Sequence, residues 1–91
     1  MPSLWPIDPV KEKALFDVAW TGVPGCVYYE LQGSSDSAFD PAKTSSVRVN
    51  HPSQKFTVPG RSPGIFYYRV RAIDENGQVS LWSKTLTVEV V

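Results

Sequence analysis

Nucleophilic catalysis needs a Ser or Cys beside a His base, with an acid to orient the ring. This chain has one His, His51, and one Cys, Cys26. His51 sits in the turn-like run Asn50-His51-Pro52-Ser53, and Cys26 opens an apolar strand pattern. Neither carries a local motif, so His51 reads as an exposed turn residue and Cys26 as a small, partly buried hydrophobe. Two carboxylate pairs stand out, Asp36/Asp40 in a Ser-rich stretch and Asp74/Glu75 beside Asn76-Gly77. Carboxylates at loop tips are ordinarily solvated turn formers, not acid/base pairs. They are also too sparse for calcium, which takes about six to eight oxygens. Gly60-Arg61-Ser62-Pro63-Gly64 lacks the spacing and the lysine of a phosphate loop. A single cysteine excludes an internal disulfide and a Cys-based zinc cage. The chain therefore reads as no enzyme, with no catalytic, metal or cofactor-binding residue and no cofactor.

The aromatics are the one functional hint. Trp5, Tyr28, Tyr67 and Trp82 fall in loops or on the outward parity of strand-like runs. Exposed aromatic faces stack sugars in carbohydrate-binding sandwiches, and Trp, Tyr and Arg anchor protein contacts. The plainer alternative is that neighbouring side chains cover these rings. Tyr67, Arg69 and Arg71 interleave on one face, opposite Trp82 if the chain turns back at Asn76-Gly77. This makes Trp82, Arg69, Arg71 and Tyr67 a candidate structural or interaction platform, with Trp5 and Tyr28 as further surface aromatics.

What must position these residues is legible from the pattern. The chain has 91 residues, 42% hydrophobic and 20% charged, which suits one folded domain rather than disorder. We read residues 1–91 as a single domain, with 1–3 as linker. Nine basic against nine acidic residues give no formal charge, which argues against a bulk grip on nucleic acid or an anionic membrane. The apolar run Ile65-Phe66-Tyr67-Tyr68 is far too short to span a bilayer, and no signal peptide is visible. Val and Ile outnumber Ala and Leu, and eight prolines with six glycines interrupt any helical period.

Period-2 alternation marks strands. Phe16, Val18 and Trp20 share a face; so do Tyr29 and Leu31; so do Phe66, Tyr68, Val70 and Ala72; so do Leu86 and Val88. Ser46–Val49 and Lys55–Val58 are shorter runs. Pro2, Pro6 and Pro9 suit an extended edge segment over residues 1–13, where Leu4 and Ile7 can cover the core. Residues 34–44 read as a loop with one helical turn near Ser37–Asp40. About seven short strands with turns between them predict an all-β, antiparallel sandwich. The expected interior is Phe16, Val18, Trp20, Tyr29, Leu31, Phe56, Val58, Phe66, Tyr68, Val70, Ala72, Leu86 and Val88, with Trp20 near its centre.

The register of the last hairpin carries a conflict. If Asn76-Gly77 is a two-residue turn, Glu75 pairs with Gln78, Arg71 lies opposite Trp82 and Ala72 opposite Leu81 on the inner face. The same register turns Leu86 and Val88 outward. One extra residue bulged between Trp82 and Thr85 removes the conflict.

In this order and spacing the runs resemble a fibronectin type III domain of the bacterial secreted and surface-protein type, over roughly residues 4–91. Phe16-Asp17-Val18-Ala19-Trp20 resembles that family's second strand, Tyr28-Tyr29-Glu30-Leu31-Gln32 its third, Pro63 to Ala72 its sixth, and Trp82-Ser83 with Leu86 and Val88 the start of its last. Phe66 stands where the family usually has a corner tyrosine, and Asp74-Glu75-Asn76-Gly77 stands where some members carry Arg-Gly-Asp. The resemblance implies a seven-stranded, immunoglobulin-like Greek key with termini at opposite ends. It implies a non-catalytic spacer or protein-contact module of a larger secreted or surface protein, extracellular or at the cell surface. The implied partners are other domains of the parent chain or a protein. A carbohydrate-binding sandwich contacting polysaccharide through its aromatics is the alternative; no nucleic acid partner and no membrane insertion are expected. Trp82-Ser83 also resembles half of the Trp-Ser motif of cytokine receptors, a related family in which arginines of the facing strand stack on tryptophan. This implies an Arg69 or Arg71 guanidinium within about 6 Å of the Trp82 ring.

Overall fold

A computed structural model describes residues 2–91. Among the described residues six strands form: β1 (Phe16–Ala19), β2 (Cys26–Ser34), β3 (Thr44–Asn50), β4 (Lys55–Val58), β5 (Gly64–Asp74) and β6 (Leu86–Val90). All pairings between them are antiparallel. One sheet is β1-β4 and the other is β3-β2-β5-β6. The chain crosses between sheets after β1, β3 and β4, which is the immunoglobulin-like Greek key of the all-β sandwich.

The count is six where seven strands are expected, and the leading segment is the reason. It makes only isolated bridges, Leu4 antiparallel to Trp20 and Val10 parallel to Val90. Pro6 and Pro9 have no N–H to donate, so no continuous ladder can form. The segment instead leaves one sheet and joins the other. Trp5 N–H donates to the Ala19 carbonyl at 2.9 Å, while Val10 N–H donates to the Glu89 carbonyl at 2.9 Å. Pro2 and Ser3, expected in a linker, are held to the body: Pro2 is fully buried, and Thr21 N–H donates to the Ser3 carbonyl. Met1 of that linker lies outside the described residues.

The core follows the alternation. Val18, Trp20, Tyr29, Leu31, Val58, Tyr68, Val70 and Val88 are almost wholly buried. Phe56, Phe66 and Leu86 pack against them and remain partly exposed. Trp20 meets Tyr29 edge-on at 5.5 Å, and Phe16 meets Tyr68 edge-on at 6.1 Å. Gly33 on β2 faces Tyr68 on β5, and the phenol ring covers it: a Cβ there would stand 2.7 Å from Tyr68 Cε1. Gly33→Val should therefore displace the ring and destabilise the domain by about 1–3 kcal/mol, read as a lowered urea midpoint.

Two local expectations are corrected. The helical turn falls at Pro41–Lys43, not near Ser37–Asp40. Pro41 holds the φ of a first helical position, and the Asp40 carboxylate accepts from Ala42 N–H at 3.0 Å. The last hairpin has a three-residue loop: Asp74 N–H donates to the Gln78 carbonyl, and Gly77 takes a φ of 78°. The Asp74 carboxylate accepts from both Asn76 and Gln78 N–H, which selects this longer turn over the two-residue one. Ile73 then pairs with Val79, while Tyr68 pairs with Leu86. Two extra residues, not one, are accommodated between those pairs, so Leu86 and Val88 face inward as their apolar character requires. Leu81, expected opposite Ala72 on the inner face, is 78% exposed.

Candidate functional site

Trp82, Arg69 and Arg71 lie together on the outer face of the four-stranded sheet, where its register places the two arginines. Glu30 stands between Arg48 of β3 and Arg71 of β5; Gln32 stands between Ser46 and Arg69. Arg71 Nε donates to Glu30 Oε1 at 2.6 Å, and its Nη2 closes an ion pair with the same oxygen at 2.5 Å. Arg69 Nε donates to Gln32 Oε1 at 2.8 Å, and Gln32 Nε2 donates to Ser46 Oγ at 3.2 Å. Both guanidiniums are thereby anchored from the β2 side. They lie against the Trp82 indole, with Cζ 4.2 Å from its centroid for Arg69 and 4.3 Å for Arg71. Burial, and then the charge of Arg71, pull the Arg69 guanidinium pKa down, with Glu30 opposing.

Trp82 reaches this position through two serines. Ser80 N–H donates to the Ala72 carbonyl while its hydroxyl accepts from Ala72 N–H at 2.9 Å. Ser83 repeats the exchange with Val70, at 2.8 and 3.0 Å. Each hydroxyl replaces a ladder carbonyl, so residues 80–83 follow β5 while carrying the extra residues. Alternation could not reveal this, because the segment is not a strand; the serines three apart around Leu81-Trp82 were the available signal. Ser83 is buried. Ser83→Ala should strand the Val70 N–H and cost about 1–3 kcal/mol, with faster hydrogen exchange at that amide.

Phe39 is the residue that the pattern missed. It lies in the loop after β2, is 7% exposed, and meets Arg69 at 4.2 Å from its ring centroid. Its φ of 54° and the Asp36 carboxylate, which accepts from Ala38 and Asp40 N–H, fold that loop back over the sheet. Phe39, Arg69, Trp82 and Arg71 thus form one contiguous run of ring–cation contacts.

The remaining candidates do not join it. Tyr67 stands one row along, opposite Ser34 and Thr87. Tyr28 lies under Arg48, whose Cζ is 3.9 Å from the ring centroid. Trp5 is 58% exposed, on the leading segment beside β1 of the other sheet.

No family model matches the chain, and no curated protein matches it. Solved structures do. The CbhA fibronectin(III)-like modules of Clostridium thermocellum superpose with a TM-score of 0.74 at 10% identity, over 99% of this chain and 95% of theirs. An Fn3-like protein from the same organism gives 0.68 at 21% identity, over 99% and 94%. The chain has the fibronectin type III-like fold. A β-1,2-glucanase from Parabacteroides distasonis contains a similar region: TM-score 0.72 and 25% identity over 98% of this chain, but only 12% of the glucanase.

Within this fibronectin type III-like domain the chemically reactive side chains are dispersed. The exposed His51 ring meets the Tyr29 hydroxyl at 3.1 Å from Nδ1, and that hydroxyl accepts from Val23 N–H at 3.1 Å. Cys26 is buried, and its thiol donates to the Tyr28 carbonyl. The carboxylates of Asp36, Asp40 and Asp74 all accept from backbone amides of their own loops. Burial raises the phenol pKa of Tyr29 and of Tyr68 above the ordinary 10.0. The folded state therefore holds these protons more tightly than the unfolded chain. Stability should be intact below pH 10 and fall as the pH rises beyond it, checked by urea melts alongside the phenolate absorbance.

Proposed function

We propose that this chain is a non-catalytic, fibronectin type III-like module of a larger secreted or surface protein, serving as a spacer or protein-contact domain. One observation carries the reading. The chain comes in beside Trp20 and goes out beside Val10 and Gly64, at the far end of β6. With a body of 40 × 24 × 18 Å, such an arrangement extends a string of domains instead of folding it back. The likeness to fibronectin(III)-like modules, and to a small part of a glucanase, supports the same role. We assign Trp82, Arg69 and Arg71 a structural part in it: the guanidiniums bond to Gln32 and Glu30 and lie against the Trp82 ring, which argues against that ring as a free sugar-stacking platform.

Two copies fused head to tail should scatter X-rays as an extended particle, with a maximum dimension close to double that of one. A compact particle overturns the spacer reading. Electrophoresis through gels carrying soluble polysaccharide should leave the mobility unchanged. Retardation lost in Trp5→Ala or Trp82→Ala would instead favour the carbohydrate-binding alternative. Chelator should leave the melting temperature unchanged, and a calcium-dependent rise of several degrees would contradict this.

A further inference from the structure

We propose that the end of the sandwich where β2, β3 and β5 meet binds a tetrahedral oxyanion, phosphate or sulfate. A hollow of about 170 Å³ opens there, lined by Gly33, Tyr68, Lys43, Arg61, Ser35 and Ser45 among others. Two cations and no carboxylate line it. The ion pair found among the described residues, Arg71–Glu30, is elsewhere. In a chain of zero formal charge this is a local concentration of positive charge rather than an overall bias.

The two cations are carried on well-held backbone. Arg61 follows Gly60, which approaches the Lys13 backbone so closely that a Cβ would clash with it. Lys13 N–H donates to the Arg61 carbonyl at 3.0 Å, and the guanidinium lies 5.8 Å from the Phe66 ring centroid. Lys43 closes the turn after Pro41, and its carbonyl accepts from the buried Ser34 hydroxyl at 3.2 Å. Burial raises the Tyr68 phenol pKa, and the neighbouring Arg61 guanidinium opposes that rise. The residues that line the hollow thus come from the β2–β3 loop, from β3 and from the β4–β5 loop, as well as from β2 and β5. A lining drawn from several segments suits an anion with oxygens on all sides better than a planar carboxylate, which one guanidinium fork satisfies. The volume lies below the roughly 300–1,000 Å³ of sites for organic ligands, which favours a small inorganic-type group.

The test is a titration of the labelled protein with sodium phosphate, sodium sulfate and sodium acetate at constant ionic strength, followed by amide chemical shifts. Saturable shifts at Gly33, Ser35, Ser45 and Tyr68 are expected with phosphate, sulfate or both; the two arms tell which oxyanion is preferred. Lys43→Gln should weaken binding several-fold, and Lys43→Gln with Arg61→Gln at least tenfold. Because Arg61 touches Phe66, the dispersion of the double variant's spectrum checks that it is folded; Lys43 is exposed, and its single variant tests the site independently. The proposal fails if wild-type shows no saturable shift, if acetate binds as well as phosphate and sulfate, or if Lys43→Gln leaves the affinity unchanged.

Discussion

Trp20→Ala should be the most damaging single substitution in this chain, costing about 3–5 kcal/mol. Trp20 is 1% exposed, meets Tyr29 edge-on, and is bridged by the leading segment through Leu4. Truncation opens a cavity where the two sheets and the leading segment meet, so collapse to refill it requires all of them to move. Domains of this size hold ~5–15 kcal/mol in total, so the variant should melt lower by on the order of 15–25 °C. Trp20→Phe separates volume from polarity. The indole Nε1 is buried without a hydrogen-bond partner, so its removal relieves an unpaired donor, and the phenyl variant should cost clearly less than alanine. A Trp20→Ala protein melting within a degree or two of the parent would mean that this residue is not at the centre of the core.

Trp82→Ala should cost about 2–3 kcal/mol, a large effect for a residue on the outer face. Two cation–π contacts at ~0.5–1 kcal/mol each account for part of this. The remainder is ring surface laid over the sheet, at ~25 cal/mol per Å² of apolar area. The pairwise part can be isolated in a double-mutant cycle of Trp82→Ala with Arg71→Gln, where a coupling of ~0.5–1 kcal/mol is expected by urea denaturation. Glutamine at position 71 retains a donor for Glu30, which alanine would leave without its partner. A Trp82→Ala protein as stable as the parent, with zero coupling to Arg71, would remove the structural role and return the ring to the pool of possible contact residues.

The sandwich was legible because strand alternation is a local signal. Phe16, Val18 and Trp20, or Tyr68, Val70 and Ala72, declare a buried face within a few residues of chain, and burying those faces against one another leaves few architectures. Trp20 as the core centre, and the inward facing of Leu86 and Val88, follow from residue type alone. Three features did not follow, each because its cause lies elsewhere in the chain. The leading segment forms no strand, since Pro6 and Pro9 force it to divide its hydrogen bonds between β1 and β6. The hairpin takes a three-residue loop, since the Asp74 carboxylate captures two amides that a turn rule based on Asn76-Gly77 does not weigh. Phe39 is buried although it lies in a polar loop, since the sheet it covers is built from β2 and β5, and only their register places Arg69 beneath it. Residue types and spacing thus determined which faces are apolar and therefore the fold. Which side chains cover the outer face, and which residues line the hollow beside Tyr68, was decided only by tertiary structure, because those contacts join residues distant in sequence whose proximity no local pattern encodes.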